Sequence, residues 1–311
     1  MLYITTRNDC DAFTAPRTLP HDTAADGGYY VPFRLPAFEN TQIKELADKS
    51  FAQNAADLLN LFFTMGIESW DIDFHIGRNP VKLNAISNKI FTAETWHNTK
   101  YDYAFLAQQL NSRLSAENSS VSDWAKVAIR ISVIFGIFGL LNQQGALGSE
   151  NTVDFAVSTA DYTDLIAVWY ARKMGLPIGS IICACAEDDP LWDFMHKGEL
   201  SARSLTLSSK KGIERLLHCT LGCAAVRKFS ACCENNSLFT VTDEELQYIC
   251  DGLYASVVSS KRADTIIGSV YNKDGYLLGA DTVMPYGALQ DHRAKTGENK
   301  STLIFTDIKQ T

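Results

Sequence analysis

A chain of 311 residues, 46% apolar and 21% charged, has the make-up of a globular protein with material for one large domain or two modest ones, which excludes a mainly disordered chain. Its formal charge of -8, with no long block of Lys or Arg, excludes a surface built to neutralise nucleic-acid phosphates or anionic lipid, so neither a nucleic-acid nor a membrane partner is expected.

The opening residues 1–13 lack a basic stretch followed by an apolar one, so no secretory signal is read there and a cytoplasmic location is expected. Over 41–64, apolar Ile43, Leu46, Phe51, Ala55, Leu58, Leu59 and Phe62 recur at helical spacing between charged residues, which predicts a largely helical N-terminal part. The polar stretch 118–122 reads as a linker or helix entry ahead of Trp124. The most apolar stretch, 127–141, is interrupted by Arg130 and falls short of the ~20 residues that span a bilayer, so a buried helix is predicted.

Residues 152–157 are β-prone, 165–174 read as a helix stopped by Gly175 and Pro177, and 180–186 are β-prone again. That order is a βαβ unit and implies a parallel sheet. Thr242 and Glu245 have the spacing of a capping box, which predicts a helix from there to about residue 259, and 301–306 reads as a last strand. The eight cysteines, with no export signal, are expected to be reduced thiols, mostly small core residues. Cys183 and Cys185 alternate along a strand and should share one face. His218, Cys219, Cys223, Cys232 and Cys233 have the residue types of a zinc set but no Cys-x2-Cys knuckle, and Cys219 and Cys223 read as one turn apart on an apolar helix, so no metal site is expected.

Several segments carry a resemblance, in order. Thr5-Thr6-Arg7 with Asp26-Gly27-Gly28-Tyr29-Tyr30-Val31-Pro32 is similar to paired Ser-Thr-Arg and Asp-Gly-Gly-Leu-Tyr-Val-Pro signatures. Asp123-Trp124-Ala125-Lys126 resembles an Asn-Trp-Gly-Arg helix start, and residues 164–177 resemble a helix ending Lys-Lys-Met-Gly-Leu-Pro. Glu214-Arg215-Leu216-Leu217 and Gly275-Tyr276-Leu277-Leu278 match two further landmarks. Together they resemble threonine synthase, a pyridoxal-phosphate (PLP) enzyme of the tryptophan-synthase-β fold group. The resemblance implies an α/β fold with a twisted, mainly parallel sheet covered by helices, like that family's large lobe. It implies a largely helical segment 1–92, a core 93–311, and a small lobe missing near 115–120.

The chemistry departs from the family in three places. The family's Schiff-base lysine lies in His-Gly-Pro-Thr-x-x-Phe-Lys-Asp, whereas this chain runs Trp96-His97-Asn98-Thr99-Lys100-Tyr101-Asp102-Tyr103-Ala104, two residues shorter. Tyr101 falls on the lysine position and Lys100 stands next to it, as the one candidate nucleophile. The family's phosphate turn, Pro-Thr-Gly-Asn-Phe-Gly-Asp, corresponds to Ser158-Thr159-Ala160-Asp161-Tyr162-Thr163-Asp164, which lacks both glycines and adds a charge; Ser158 and Thr159 are what remains to hold a phosphate. Thr306 corresponds to the hydroxyl offered to the pyridine nitrogen. The third departure is the missing lobe, which would leave a cleft without one wall.

The resemblance and its departures therefore imply a protein that has lost PLP-dependent catalysis, needs no cofactor, and serves as a non-catalytic binding or oligomeric partner. The alternative is a reduced PLP lyase that converts O-phosphohomoserine to threonine and phosphate through Lys100. His97 beside Lys100 and Asp102 suggests acid–base chemistry only if the three converge. A face stripped of a lobe predicts a homodimer anchored by Trp96, Tyr101 and Tyr103, or a separate partner subunit.

Overall fold

The computed structural model describes residues 1–15, 21–76, 81–87, 89–94, 123–147 and 152–307, with the side chains of 73–76 left aside. Strand β1 (Leu2–Thr5) pairs antiparallel with β2 (Phe13–Thr14) and β3 (Tyr30–Pro32) in a small sheet of order β2-β1-β3. Helices α1 (Asn40–Glu45), α2 (Phe51–Phe63) and α3 (Ser69–Ile76) follow. The helical spacing read over 41–64 is carried by more than one helix, with a break at residues 49 and 50. There the Ser50 hydroxyl accepts from Gln53 N at 3.2 Å while Ser50 N donates to Gln53 Oε1 at 2.8 Å, a reciprocal cap that starts a new helix.

Next come β4 (Lys82–Ser87), β5 (Ile90–Glu94), α4 (Asp123–Gln143), β6 (Val153–Ser158), α5 (Thr163–Lys173) and β7 (Ile178–Cys185). The chain continues through α6 (Pro190–Lys197), β8 (Glu199–Ser201), α7 (Leu207–Leu221), α8 (Cys223–Glu234) and β9 (Leu238–Thr240), and β8 and β9 pair with each other. It ends with α9 (Asp243–Ile249), β10 (Leu253–Val257), α10 (Ser260–Asp274), α11 (Ala280–Thr296) and β11 (Thr302–Thr306).

The main sheet has the order β10-β7-β6-β11-β5-β4, and every pairing is parallel except that of β4 with β5. Its central strands are apolar on both faces, as helices on both sides require. Phe155, Val157, Cys183, Cys185, Leu303 and Phe305 pack into the larger core with α2, α4, α5 and α7. Ala156, Ile182, Ala184 and Ile304 face α10 and α11. This is the α/β architecture, a mainly parallel sheet covered by helices, that the resemblance implies. The predicted βαβ unit is β6-α5-β7, joined by parallel pairing.

The segment 1–92 carries three helices among the described residues, but it opens with the small sheet and its end falls inside β5. The main sheet thus takes strands from both sides of that expected boundary. Helix α4 is long and apolar enough by composition to cross a membrane, yet it is buried among α2 and α5 along most of its length. The Thr242–Glu245 cap forms as predicted, with Glu245 N donating to Thr242 Oγ1 at 3.2 Å. The helix it starts does not reach residue 259: α9 ends at Ile249, Gly252 takes φ 71°, and the following residues become β10 because β7 offers an open edge, pairing Leu253 with Ile181. Residues 301–306 hold a strand as expected, and β11 lies in the interior of the sheet between β6 and β5.

A candidate ligand site beyond the carboxyl end of β6

Parallel strands direct their carboxyl ends to one edge, where open α/β sheets hold ligands. Ser158 ends β6 and Thr306 ends β11 at this edge, and Thr159 follows Ser158. Lys100, His97 and Asp102 lie outside the described residues. So do Trp96, Tyr101 and Tyr103, expected at a homodimer contact, and the lobe position near 115–120.

Thr159 is buried with its hydroxyl between the Ala184 carbonyl, at 3.1 Å, and the Asp189 carboxylate. Asp189 caps α6: its Oδ1 accepts from Leu191 N at 2.9 Å and from the Tyr162 hydroxyl at 2.6 Å. Burial, then the Asp189 charge, pushes the Tyr162 phenol far above its ordinary range, so it stays a donor. Gly212 makes room for this ring, since a Cβ there would lie 2.4 Å from Tyr162 Cδ1. Ser158 turns its Oγ to Ala160 N at 3.2 Å, and Asp161 Oδ1 takes Thr163 N at 3.1 Å and the Thr163 hydroxyl at 2.7 Å, closing the first turn of α5 on itself.

Thr306 is buried against Tyr276. The Tyr276 hydroxyl donates to Glu94 Oε1 at 2.7 Å and accepts from Thr92 Oγ1 at 3.3 Å, while Asn84 Nδ2 also donates to Glu94 Oε1 at 2.6 Å. Burial first, with Glu94 adding to it, pushes the Tyr276 phenol up to about 12.

At the β6–α5 turn lies a cavity of about 330 Å³, walled by that turn, the starts of α4 and α5, and the side of α7 that carries Leu207, Lys211 and Arg215. Lys126, Lys211 and Arg215 line it, with Asp123 and Asp161. Arg215 Nη1 donates to Asp123, and Lys211 Nζ stands 3.5 Å from both Asp123 and Asp22. Burial acts against both charges of the Arg215–Asp123 pair, but each partner holds the other ionised: the guanidinium sits above its ordinary value and the carboxyl below. Neither Asp189 nor this cationic trio follows from motif reading. Asp189-Pro190 has the form of a helix start, and Glu214-Arg215 stands out as a landmark, but the groups they meet are far away in sequence.

The first signature meets that landmark directly. The Thr6 hydroxyl donates to Glu214 Oε1 at 2.6 Å, and Arg7 reaches Glu214 through Nε at 3.2 Å and Nη2 at 3.3 Å. All eight cysteines are free thiols, and Cys183 and Cys185 share the larger core as their alternation predicts. Cys219 and Cys223 do not share one helix, because Gly222 at φ 78° ends α7 before α8 begins. Among the described residues, no three His, Cys, Asp or Glu side chains gather as a metal set.

A family profile described as threonine synthase N terminus matches residues 2–78. The human protein threonine synthase-like 1 is 24% identical over 193 residues, a match that takes in 58% of this chain and 26% of that protein. A threonine synthase of Pseudomonas aeruginosa is 29% identical over 195 residues, 58% of this chain and 39% of the enzyme. The matched region is thus well under half the length of these relatives. Among solved structures, PLP-bound threonine synthase from Brucella melitensis superposes with a TM-score of 0.81 at 18% identity, covering 99% of this chain and 89% of that one. The yeast threonine synthase does so with a TM-score of 0.79 at 15% identity, covering 98% and 86%.

Proposed function

We infer that this chain, a relative of the threonine synthases by its N-terminal region and its fold, has lost PLP-dependent catalysis and works as a non-catalytic binding protein. The observation that carries the reading is the closed β6–α5 turn. A cofactor phosphate, close to a dianion, needs free backbone N–H groups at a helix N-terminus. Here the Asp161 carboxylate already takes the Thr163 N–H, and a second anion beside it would be repelled. Thr159, the hydroxyl that could have helped, is held by Asp189 and the Ala184 carbonyl. The described residues of this turn therefore do not fit a PLP phosphate.

Thr306 supports the same reading from the other end of the expected cofactor. It lies in the Tyr276, Thr92 and Glu94 network, beside a carboxylate. The rival, a reduced lyase of the threonine synthase type using Lys100, is separated by one preparation. Titrating the purified protein with PLP is expected to give no aldimine absorbance, no borohydride-fixed adduct on Lys100, and no phosphate release from O-phosphohomoserine. An adduct on Lys100 together with phosphate release would overturn the inference.

A further inference from the structure

The outer face of the N-terminal segment leaves apolar side chains in a row beside a groove. The register that pairs Tyr3 of β1 with Pro32 of β3 brings Leu2 opposite Phe33, and Phe33 N donates to the Leu2 carbonyl at 2.9 Å. These two are 48% and 47% exposed, although Tyr3 beside them is fully buried with its hydroxyl on the Phe62 carbonyl of α2. The row continues onto α2. There the Met1 ammonium donates to Thr64 Oγ1 at 3.3 Å, and Leu61, one turn earlier, is 43% exposed.

Leu61 is also one wall of a groove of about 350 Å³ between α1 and α2, with Phe38 and Leu58 in its apolar lining and Glu45, Lys49 and Asp57 around them. Lys49 is paired with Asp57 at 2.6 Å, whereas Glu45, at the end of α1, makes no ion pair among the described residues. The charge beside Phe33 is the opposite one. Arg34 is exposed, its guanidinium carbon lies 5.8 Å from the centre of the Phe33 ring, and it too makes no ion pair among the described residues. Contiguous apolar groups left in water beside a groove mark an interaction site, and the unpaired charges at its two ends, one of each sign, indicate what surface would match it.

A two-fold contact requires a surface complementary to itself. A protruding ring and a groove side by side, one next to a free cation and the other next to a free anion, meet that condition: a half-turn sets the ring of each copy over the groove of the other. We propose that this chain forms a homodimer through this face, with Phe33 seated between Phe38, Leu58 and Leu61 of the second copy and Arg34 paired with its Glu45. A groove of about 350 Å³ has room for one aromatic ring, and aromatic residues and Arg are the types enriched at interfaces. The contact calls on none of Trp96, Tyr101 and Tyr103, and it goes beyond the functional reading above, since it holds whether or not the chain has kept catalysis.

Sedimentation equilibrium of the full chain, from low to high micromolar concentration, tests it. The native sequence is expected to show a reversible monomer–dimer equilibrium. Phe33→Ser should leave only monomer with unchanged circular dichroism, because Phe33 already stands half in water. Arg34→Glu and Glu45→Arg each set like charges together and should raise the dimer dissociation constant by about 10-fold or more. The double variant Arg34→Glu/Glu45→Arg restores an opposite pair and should return that constant to within about 3-fold of the native value. A monomer at every concentration, whether water, another protein or another segment of this chain covers the face, overturns the proposal. So does a dimer that survives Phe33→Ser, or single reversals that the double variant fails to rescue. None of these results bears on catalysis, which is read separately by the Lys100 adduct.

Discussion

Asp189 ties the turn after β6 to the next helix: its single carboxylate caps α6 and takes the hydroxyls of Thr159 and Tyr162. Removing it strands the Tyr162 hydroxyl and the Leu191 N–H and leaves the Thr159 hydroxyl with the Ala184 carbonyl alone. Asp189→Ala is therefore expected to lower stability by about 2–4 kcal/mol, read as a shift of the urea midpoint at unchanged slope, with Asp189→Asn losing less because it keeps one acceptor. The local sequence shows half of this: Asp before Pro announces a helix start. That Thr159 and Tyr162 share the carboxylate depends on the parallel pairing of β6 with β7, which brings segments nearly thirty positions apart together.

Helix α4 crosses α2 at close range through small residues. A Cβ on Gly139 would lie 2.7 Å from the Leu46 carbonyl oxygen and 2.8 Å from Asn54 Nδ2, the amide that donates to that same carbonyl. Helix propensity alone favours Ala over Gly by about 1 kcal/mol, whereas forcing a methyl onto packed backbone loses about 1–3 kcal/mol. Gly139→Ala should thus destabilise. Gly268→Ala, in α10 with nothing within 4 Å of its Cβ position, should stabilise by up to about 1 kcal/mol; thermal melts of the two variants moving the same way would contradict the packing argument. Elements with strong local patterns, such as β6-α5-β7 and the Thr242 cap, are legible in the chain. The change from α9 to β10 is not, because an apolar run of this length suits a helix or a strand equally and the open edge of β7 decides it.

Stability of the whole fold should decline in mild acid for a traceable reason. His292 is 4% exposed, and burial holds its imidazole below the ordinary 6.5, against the pull of Asp154 and Glu298. Burial does the same to His218, against Asp9. A depressed imidazole contributes stability that is fully present above the unfolded value of 6.5 and is lost as pH falls through the folded value. Denaturant midpoints should therefore drop as pH is lowered from 6.5, and His292→Gln should flatten that slope; an unchanged slope would remove His292 from the account. For this protein the βαβ unit with its parallel sheet and the Thr242 cap were legible in the sequence because each depends on neighbours within a few positions, and the family resemblance added the α/β class and the loss of both glycines from the β6–α5 turn. Only the tertiary structure decided where β10 and β11 sit in the sheet and that Asp189 ties down Thr159 and Tyr162. Those features join residues distant in the chain, which no local pattern encodes.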